Sequence, residues 1–377
     1  MVQKYGRRKG NVDMSVRDLH RKPFDDGTTD KLDLYRGYLR AWLPTFIHSP
    51  QSVNTIQVID FFAGPGKDVD GNLGSPLITC EEVRLALTNA RTGKPPVINL
   101  VFNEYMPDKY QELVRCLEGI RPELPEATFH HSQMDFHVAF AQWLPLMQRP
   151  KTANLLFLDQ NGVKQVTEDI FQTMASLPRT DFLFFLSSAT ANRFKDDPSI
   201  RASLPLRDED FVHINGTNVH RRLTEAYYRW VPDGKRFFIA PFSIRKGANV
   251  YGLVFCSPHP RGMDKFLQLA WKQGGDANFD IDDDRIDPSA PFFPEFAEFE
   301  KPTKVKMFEN ALERAIKNRE LKTNKAVYEF ALRHGVLAEH ARDALKRMVR
   351  DGLLPKQTFH VSYGAWEKVA AEPIRFC

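Results

Sequence analysis

Cysteine is scarce in this sequence, and the four cysteines form none of the patterns seen in disulfide frameworks or zinc sites. They are scattered over 377 residues, and no C-x-x-C pair occurs. Neither a disulfide framework nor a cysteine zinc site is therefore indicated. A reducing compartment fits this usage, so we expect a cytoplasmic protein.

Long apolar runs are missing too. No window approaches 18 consecutive apolar residues, the length from which a membrane-spanning helix is inferred. The N-terminal MVQKYGRRKG also lacks the apolar stretch of a secretory signal. We therefore expect no association with a membrane.

Several catalytic and metal-binding patterns are absent as well. No G-x-S-x-G elbow surrounds SSAT at 187–190, which argues against a serine nucleophile there. The acidic segment 276–302 misses the spacing of a calcium loop. His130 and His131 are adjacent in a predicted strand and should point to opposite faces, so we expect no metal site that joins them to His137.

Charge is abundant but unevenly spread. The chain carries a net charge of +4, yet residues 301–356 hold fourteen Lys/Arg against seven Asp/Glu, and residues 1–22 hold seven against two. The middle of the chain is acidic. This distribution fits a catalytic body with flanks that face nucleic acid, and it fits ordinary solvated helical surfaces equally well.

Short apolar runs alternate with helical patterns along much of the chain. This alternation predicts a parallel sheet covered on both faces. An amphipathic helix over Lys31–Phe46 precedes the runs, and Pro44 marks the end of its pattern. The runs are Ile56–Phe62, Val97–Tyr105, Ala127–Phe136, Asn154–Gly162 and Asp181–Thr190.

Two further runs, KRFFIAPFSI and NVYGLVFCSP, are separated by a gap short enough for an antiparallel hairpin. Five parallel strands with a closing hairpin are the order of the methyltransferase sheet, whereas dehydrogenase-type Rossmann folds lack that hairpin. The predicted fold class is α/β, a Rossmann-like seven-stranded class I methyltransferase sheet with a C-terminal winged-helix-like domain.

The winged-helix prediction comes from the last quarter of the chain. One helix there should begin at Thr323 and end at Gly335, a second helix should end at Gly352, and LLPKQTFHVSYGAW is typical of a short β hairpin. The predicted organisation is a basic flexible N-terminus at 1–30, a methyltransferase-like Rossmann domain at 31–275, an acidic Pro/Phe-rich linker at 276–302 and the winged-helix-like domain at 303–377.

The stretch VIDFFAGPGKD at 58–68 indicates a ligand site at the end of the first strand. Asp60 places a carboxylate at the strand's C-terminal end, and Gly64 and Gly66 flank Pro65, so the chain can turn sharply and present backbone N–H groups. In open α/β sheets, nucleoside ligands bind at this edge. A purely structural turn is the alternative.

S-adenosylmethionine is the cofactor that these residues fit. Asp60 should lie near its ammonium, and Glu104 should accept the ribose hydroxyls or serve only as an acid at the N-terminus of the helix that begins near Pro107. Asp135 should meet the adenine amine or cap the following helix. The predicted cofactor-binding residues are Asp60, Phe61, Ala63, Gly64, Pro65, Gly66, Glu104, Tyr105 and Asp135.

The fourth strand ends in LDQNG, where enzymes that methylate exocyclic amines place a carboxylate or amide to orient the acceptor nitrogen. A turn with Asn-Gly chemistry is the alternative. The predicted catalytic residues are Asp159, Gln160, Asn161 and Gly162.

The segments KLDLYRGYLRAWLP, IDFFAGPG followed by GSPL, FLDQNG and VYGLVFCSPHPRGMDKF resemble, in order, the bacterial three-Cys-motif partner (TcmP) family. The resemblance implies a methyltransferase-type Rossmann fold and a separate partner protein with three clustered cysteines. Family members typically read DPFG, which looks like the tip of tRNA guanine N2-methyltransferases. Asp159 and Gly162 match that motif, whereas the proline and the aromatic residue are replaced.

Together these features predict an S-adenosylmethionine-dependent methyltransferase-like protein that acts on nucleic acid, with an exocyclic amine of a base as the candidate acceptor. Lys346, Arg347 and Arg350 should contact phosphates. The alternatives are a non-catalytic nucleotide-binding subunit, which the altered tip favours, and a docking subunit whose winged helix binds protein.

Overall fold

The chain forms a seven-stranded sheet in the order β3-β2-β1-β4-β5-β7-β6. The computed structural model describes residues 23–48, 52–90, 95–160, 164–187, 206–207, 219–246, 249–273, 303–368 and 370–376. The strands are β1 Thr55–Asp60, β2 Val97–Asn103, β3 Ala127–Ser132, β4 Thr152–Leu158, β5 Thr180–Ser187, β6 Phe238–Lys246 and β7 Asn249–Ser257. β1 to β5 are parallel, and β7 pairs antiparallel with both β5 and β6. The predicted fold class is confirmed.

The helices cover both faces of the sheet, because the central strands are buried on both sides. Every residue of β4 is buried, as a strand with helices on each face requires. In the Rossmann part, the helices are α1 Asp26–Ile47, α2 Ser75–Thr88, α3 Pro107–Ile120, α4 Phe136–Met147, α5 Glu168–Ser176, α6 Val219–Tyr227 and α7 Pro260–Gln273. One hydrophobic core lies under α1, α2, α3 and α7, and a second lies under α4, α5 and α6.

Helix α1 is longer than the sequence pattern predicted. It begins at Asp26 instead of Lys31, because Asp25 caps it by accepting the N–H of Thr28 at 2.9 Å. It continues through Pro44 to Ile47, since a proline in the last turn leaves most of the preceding hydrogen bonds in place.

The side of α1 that faces the sheet carries polar groups as well as leucines. Lys31, Tyr35, Tyr38 and Trp42 recur at helical spacing and form one line along the helix, which we name the α1 stripe. The Tyr35 hydroxyl is 2.8 Å from Thr79 Oγ1, and the Tyr38 hydroxyl donates to Asp181 at 2.7 Å. The α1 stripe therefore ties the helix to polar groups of the Rossmann core.

The C-terminal region contains α8 Thr303–Lys317, α9 Asn324–Arg333, α10 Ala338–Arg350 and α11 Tyr363–Lys368. The predicted start and ends of α9 and α10 are confirmed: Thr323 caps α9, and Gly335 and Gly352 follow the two helices with positive φ. The apolar residues of this region join the core under α1 and α7, and Trp271 Nε1 donates to the Gly335 carbonyl at 2.9 Å. The region thus packs directly on the Rossmann part.

The predicted β hairpin at 353–366 is wrong. Residues 353–362 contain no strand, and α11 begins at Tyr363. Side chains bind this backbone in place of a second strand. Arg342 Nη1 donates to the Val361 carbonyl at 2.7 Å, and Asn324 Nδ2 donates to the His360 carbonyl at 3.0 Å.

Two predicted absences concern membranes and metals. Among the described residues, no helix is long and apolar enough to cross a membrane, and no group of His, Cys, Asp or Glu has the arrangement of a metal site. His130 lies against the Trp143 ring at 5.0 Å, whereas His131 Nδ1 is 2.8 Å from the Tyr110 hydroxyl. The two histidines point to opposite faces, as expected.

Candidate functional site

The glycine turn after β1 is held in a fixed conformation from both sides. Gly64 and Gly66 adopt φ values of 64° and 93°, which side chains rarely tolerate. The Gly66 carbonyl accepts the N–H of Gly74 at 2.8 Å, and a Cβ on Gly74 would lie 3.0 Å from that oxygen. The turn thus needs glycine at three positions.

Asp60 binds residues on both sides of this turn in the sequence. Its carboxylate accepts the Ser75 hydroxyl at 2.6 Å and the N–H of Phe62 at 3.0 Å. It is fully buried, and burial raises the pKa of Asp60 to about 7 in spite of these two hydrogen bonds. The charges of Asp159 and Glu104 also raise that pKa. Direct contact between Asp60 and a ligand stays a prediction.

Glu104 joins the glycine turn to the end of β2. Its Oε2 accepts the N–H of Gly64 at 2.9 Å, and its Oε1 accepts the N–H of Met106 at 2.7 Å. Each carboxylate oxygen keeps a lone pair for a further donor. Glu104 is buried, whereas the neighbouring Tyr105 is exposed. Glu104 thus lies at the C-terminal end of β2 beside the glycine turn, and its contact with a ribose stays a prediction.

The other predicted cofactor residues are placed less directly. The Phe61 ring packs against Phe136 at 5.3 Å in the core under α4, and Ala63 is buried. Pro65 lines a cavity of about 550 Å³ that extends between the turn and α3. Asp135 is exposed and caps α4 by accepting the N–H of His137 at 2.9 Å. The capping role of Asp135 is therefore observed, and its contact with adenine stays a prediction.

Asn103 was not among the site residues predicted from the sequence, although it fixes the ends of three strands. Its amide donates to the carbonyls of Phe61 and Met134 at 3.3 and 3.0 Å, and its oxygen accepts the Ser132 hydroxyl at 2.8 Å. A buried amide at the last residue of an apolar strand was the available signal. Without it, the ends of β1, β2 and β3 would lose their shared polar support.

At the end of β4, Asp159 forms an ion pair with Lys31 of the α1 stripe. The Lys31 ammonium also lies 5.1 Å from the centre of the Phe185 ring. The side chain of Asp159 is one third exposed, and that of Lys31 is 13% exposed. The carboxylate predicted to orient an acceptor amine is thus already bound to an amine from the same chain.

Gln160 is buried beside Asp159. Its Oε1 accepts the N–H of Gln165 at 3.0 Å, and its Nε2 has no hydrogen-bond partner among the residues that the structure describes. A buried amide donor without a partner is costly, so it is available to an acceptor at this tip. The predicted catalytic residues Asn161 and Gly162 lie outside the described residues.

The predicted phosphate contacts lie on α10, where each is paired with an acid of the same region. Lys346 bonds Asp343 at 3.0 Å, Arg350 lies 3.5 Å from Asp351, and Arg347 pairs with Glu309. Lys346 and Arg350 are well exposed, whereas Arg347 is 30% exposed. The exposed side of α10 is basic only in its second half, since its other fully exposed residues are Glu339 and Asp343.

The residues at the strand ends fit S-adenosylmethionine. The cofactor carries a cationic amino-acid end and two ribose hydroxyls, and the site offers carboxylates from β1, β2 and β4 around a turn of backbone N–H groups. The ammonium would lie toward Asp60, and the ribose would lie toward Glu104.

One comparison with known proteins concerns the C-terminal region. Residues 278–357 match the family model described as "GMT-like wHTH domain". This match confirms a winged-helix-like region, and its exact limits stay a prediction. No curated protein matches the chain.

Among solved structures, the chain is similar to Trm1 from Pyrococcus horikoshii in complex with S-adenosyl-L-methionine, at 12% identity and a TM-score of 0.38, over 65% of this chain and 58% of that chain. It is also similar to spermidine synthase from Thermotoga maritima, at 11% identity and a TM-score of 0.30, over 71% and 70%. The SAM-dependent methyltransferase from Agrobacterium tumefaciens matches at 9% identity and a TM-score of 0.31, over 58% and 61%. The chain thus spans less than two thirds of the Trm1 chain. The strand order supports the methyltransferase-like fold.

Proposed function

We propose that this chain is an S-adenosylmethionine-dependent methyltransferase-like protein that acts on nucleic acid. The observation that carries the proposal is the set of three carboxylates, Asp60, Glu104 and Asp159, at the adjacent C-terminal ends of β1, β2 and β4, where Glu104 also holds the glycine turn through the N–H of Gly64. The strand order supports it, because this edge of the methyltransferase sheet is where the cofactor binds.

The cofactor, when bound, supplies an electrophilic methyl group. The chain's own residues hold and orient the two reactants. Glu104 keeps the glycine turn in position through the N–H of Gly64, and its free lone pairs accept hydroxyl donors. Asp159 orients an acceptor amine by hydrogen bonding, which is catalysis by proximity and orientation. An acceptor amine must first displace Lys31 from Asp159.

The acceptor chemistry also favours an amine. Asp159 accepts hydrogen bonds, and the free Nε2 of Gln160 donates one, so this tip is complementary to a base edge with an amino group beside an acceptor. The proline and aromatic residue of the DPFG motif are absent here. A non-catalytic nucleotide-binding subunit is therefore the second candidate, and the Lys31–Asp159 ion pair that occupies the tip favours it. In both cases we propose a separate three-Cys-motif protein as partner.

The first test is calorimetric titration of S-adenosylmethionine and S-adenosylhomocysteine into wild type and Gly64→Val. Gly64 has positive φ, and its N–H binds Glu104, so a β-branched side chain should distort the turn and abolish binding of both ligands. Gly352→Val is the matched control, because Gly352 has a φ of 77° with open space around it. It should bind like wild type. No binding to wild type would refute the cofactor site.

Asp159→Ala separates the enzyme from the non-catalytic subunit. In the enzyme, the variant keeps cofactor affinity and loses methyl transfer to an RNA or DNA pool, measured with labelled cofactor. If wild type binds cofactor and transfers no methyl group to either pool, the hypothesis of a non-catalytic subunit is supported.

The nucleic-acid proposal predicts an effect of charge reversal on α10. Lys346→Glu with Arg350→Glu should weaken binding of RNA or duplex DNA and lower the salt dependence by about two phosphate contacts. Lys317→Glu is the matched control, since Lys317 is exposed on α8 and paired with Glu313 at 2.5 Å. If the pair of α10 changes leaves nucleic-acid binding intact, α10 serves protein docking instead.

A further inference from the structure

A cavity of about 310 Å³ lies near the C-terminal end of α1, away from the strand ends described above. It is bounded by α1, the start of β5, the turn between β7 and α7, and α11. Phe182 of β5 pairs with Cys256 of β7, so the start of β5 and the end of β7 share this edge of the sheet. Trp42, in the cavity wall, is about 16 Å along the helix from Lys31. The volume is at the lower end of ligand pockets.

Two buried polar groups line this cavity side by side. Asp181 is 7% exposed and accepts the Tyr38 hydroxyl, and burial raises its pKa to about 6. Among the described residues, the N–H of the Trp42 indole, which is 2% exposed, forms no hydrogen bond of normal geometry, and its contact with Asp181 only lowers the pKa of that carboxyl somewhat. A buried N–H without a partner is costly, so the site favours a ligand that supplies an acceptor.

The remaining lining includes aromatic and basic side chains. The Phe46 ring packs edge-on against Trp42, with centroids 4.8 Å apart. Arg179 and Arg261 are exposed among the lining residues, and the Arg261 guanidinium lies 5.4 Å from the Tyr363 ring. The acid on this side, Glu367, accepts the Tyr363 hydroxyl at 2.7 Å. Exposed arginines beside an aromatic cavity are suited to a ligand that carries both a planar ring and a phosphate.

We propose that this cavity binds a nucleotide whose base has an amino group next to a ring nitrogen, as adenine has. The amino group donates to Asp181, the ring nitrogen accepts from Trp42, and the phosphate binds Arg179 and Arg261. A free nucleotide and a base of a single strand share this chemistry. The proposal is independent of the cofactor site, since the two sites have no lining residue in common.

The test is calorimetric titration of AMP, GMP and a short single-stranded oligo(dA) into the full chain, with S-adenosylhomocysteine in excess to occupy the strand-end site. AMP should bind more tightly than GMP. Trp42→Phe keeps the aromatic ring and removes the donor, and it should weaken AMP binding about tenfold, the effect of one buried hydrogen bond. Tighter binding of oligo(dA) than of AMP would identify a nucleic-acid strand as the source, and the reverse would identify a free nucleotide.

Two controls keep the result interpretable. Trp143→Phe makes the same chemical change in α4, where the indole N–H is also buried without a partner, and it should not alter AMP affinity. Arg261→Gln changes an exposed side chain, so it tests the phosphate contact even if Trp42→Phe fails to fold. The proposal is overturned if neither AMP nor oligo(dA) binds, or if Trp42→Phe and Arg261→Gln both leave affinity within about twofold of wild type.

Discussion

Replacing Asp60 by Asn is expected to stabilise the folded protein at pH 8 and at the same time to weaken S-adenosylmethionine binding. Asp60 is fully buried, and its pKa is raised to about 7. An unfolded aspartate titrates near 3.9, so between about pH 4 and pH 7 the folded state keeps a proton that the unfolded state has released. The free energy of unfolding therefore falls as pH rises through this window. At pH 8 the ionised Asp60 destabilises the folded state by the full amount, about 4 kcal/mol for a pKa raised by about three units.

Asparagine has the same shape and carries no charge, so it should remove much of this cost at pH 8 and little of it at pH 4. Urea denaturation at both pH values measures the difference. Asp159→Asn is the matched control, because Asp159 is one third exposed and should not show the same gain. Destabilisation of Asp60→Asn at both pH values would contradict the account, because it would mean that the ionised carboxylate contributes net stability through Ser75 and Phe62.

Asp60→Asn should weaken cofactor binding although it raises stability. A cationic ligand near Asp60 favours the ionised carboxyl, so binding should release protons, and wild-type affinity should rise between pH 6 and pH 8. Asp60→Asn should bind about tenfold more weakly at pH 8 and show a flat pH profile. Calorimetry in two buffers of different ionisation enthalpy measures the proton release. An unchanged affinity would restrict Asp60 to supporting the turn.

The sequence predicted the sheet well because its strands are bounded by strong local signals. The run in β4 is apolar at consecutive positions, and the glycine turn follows β1 immediately. The hydrophobic pattern and the turn residues therefore both agreed with the tertiary fold. The helix boundaries at Thr323, Gly335 and Gly352 were predictable for the same reason, since caps act within a few residues.

The contacts of the site were harder to predict because they join distant segments. Lys31 and Asp159 are 128 positions apart, and no local pattern pairs a helix lysine with that strand. The segment at 353–366 has the alternation of a strand, but its carbonyls are bound by Arg342 and Asn324 from other helices. Local propensity there was overridden by tertiary hydrogen bonds.

Helix α1 links the two candidate sites, so its attachment to α2 matters for both. Glu82 of α2 is 1% exposed and accepts two hydrogen bonds from Arg40, at 3.0 and 2.6 Å, and a longer one from Arg36 at 3.4 Å. Arg40 is 63% exposed, and Arg36 is 27% exposed. The carboxylate is therefore the buried member of this ion-pair group, and the arginines are its only charged partners among the contacts described.

Replacing both arginines by Met should destabilise the protein by about 3 kcal/mol, because it leaves a buried carboxylate without a counter-ion. Glu82→Gln should cost only about 1 kcal/mol, since the exposed arginines can turn to water and the amide oxygen still accepts a hydrogen bond. Urea denaturation of both variants measures this asymmetry, and an equal or larger loss in Glu82→Gln would contradict it. Helix α1 positions Lys31 beside Asp159 and Trp42 in the second cavity. The arginine variant should therefore also weaken the binding of both S-adenosylhomocysteine and AMP. Loss of only one ligand would mean that the two ends of α1 are held independently.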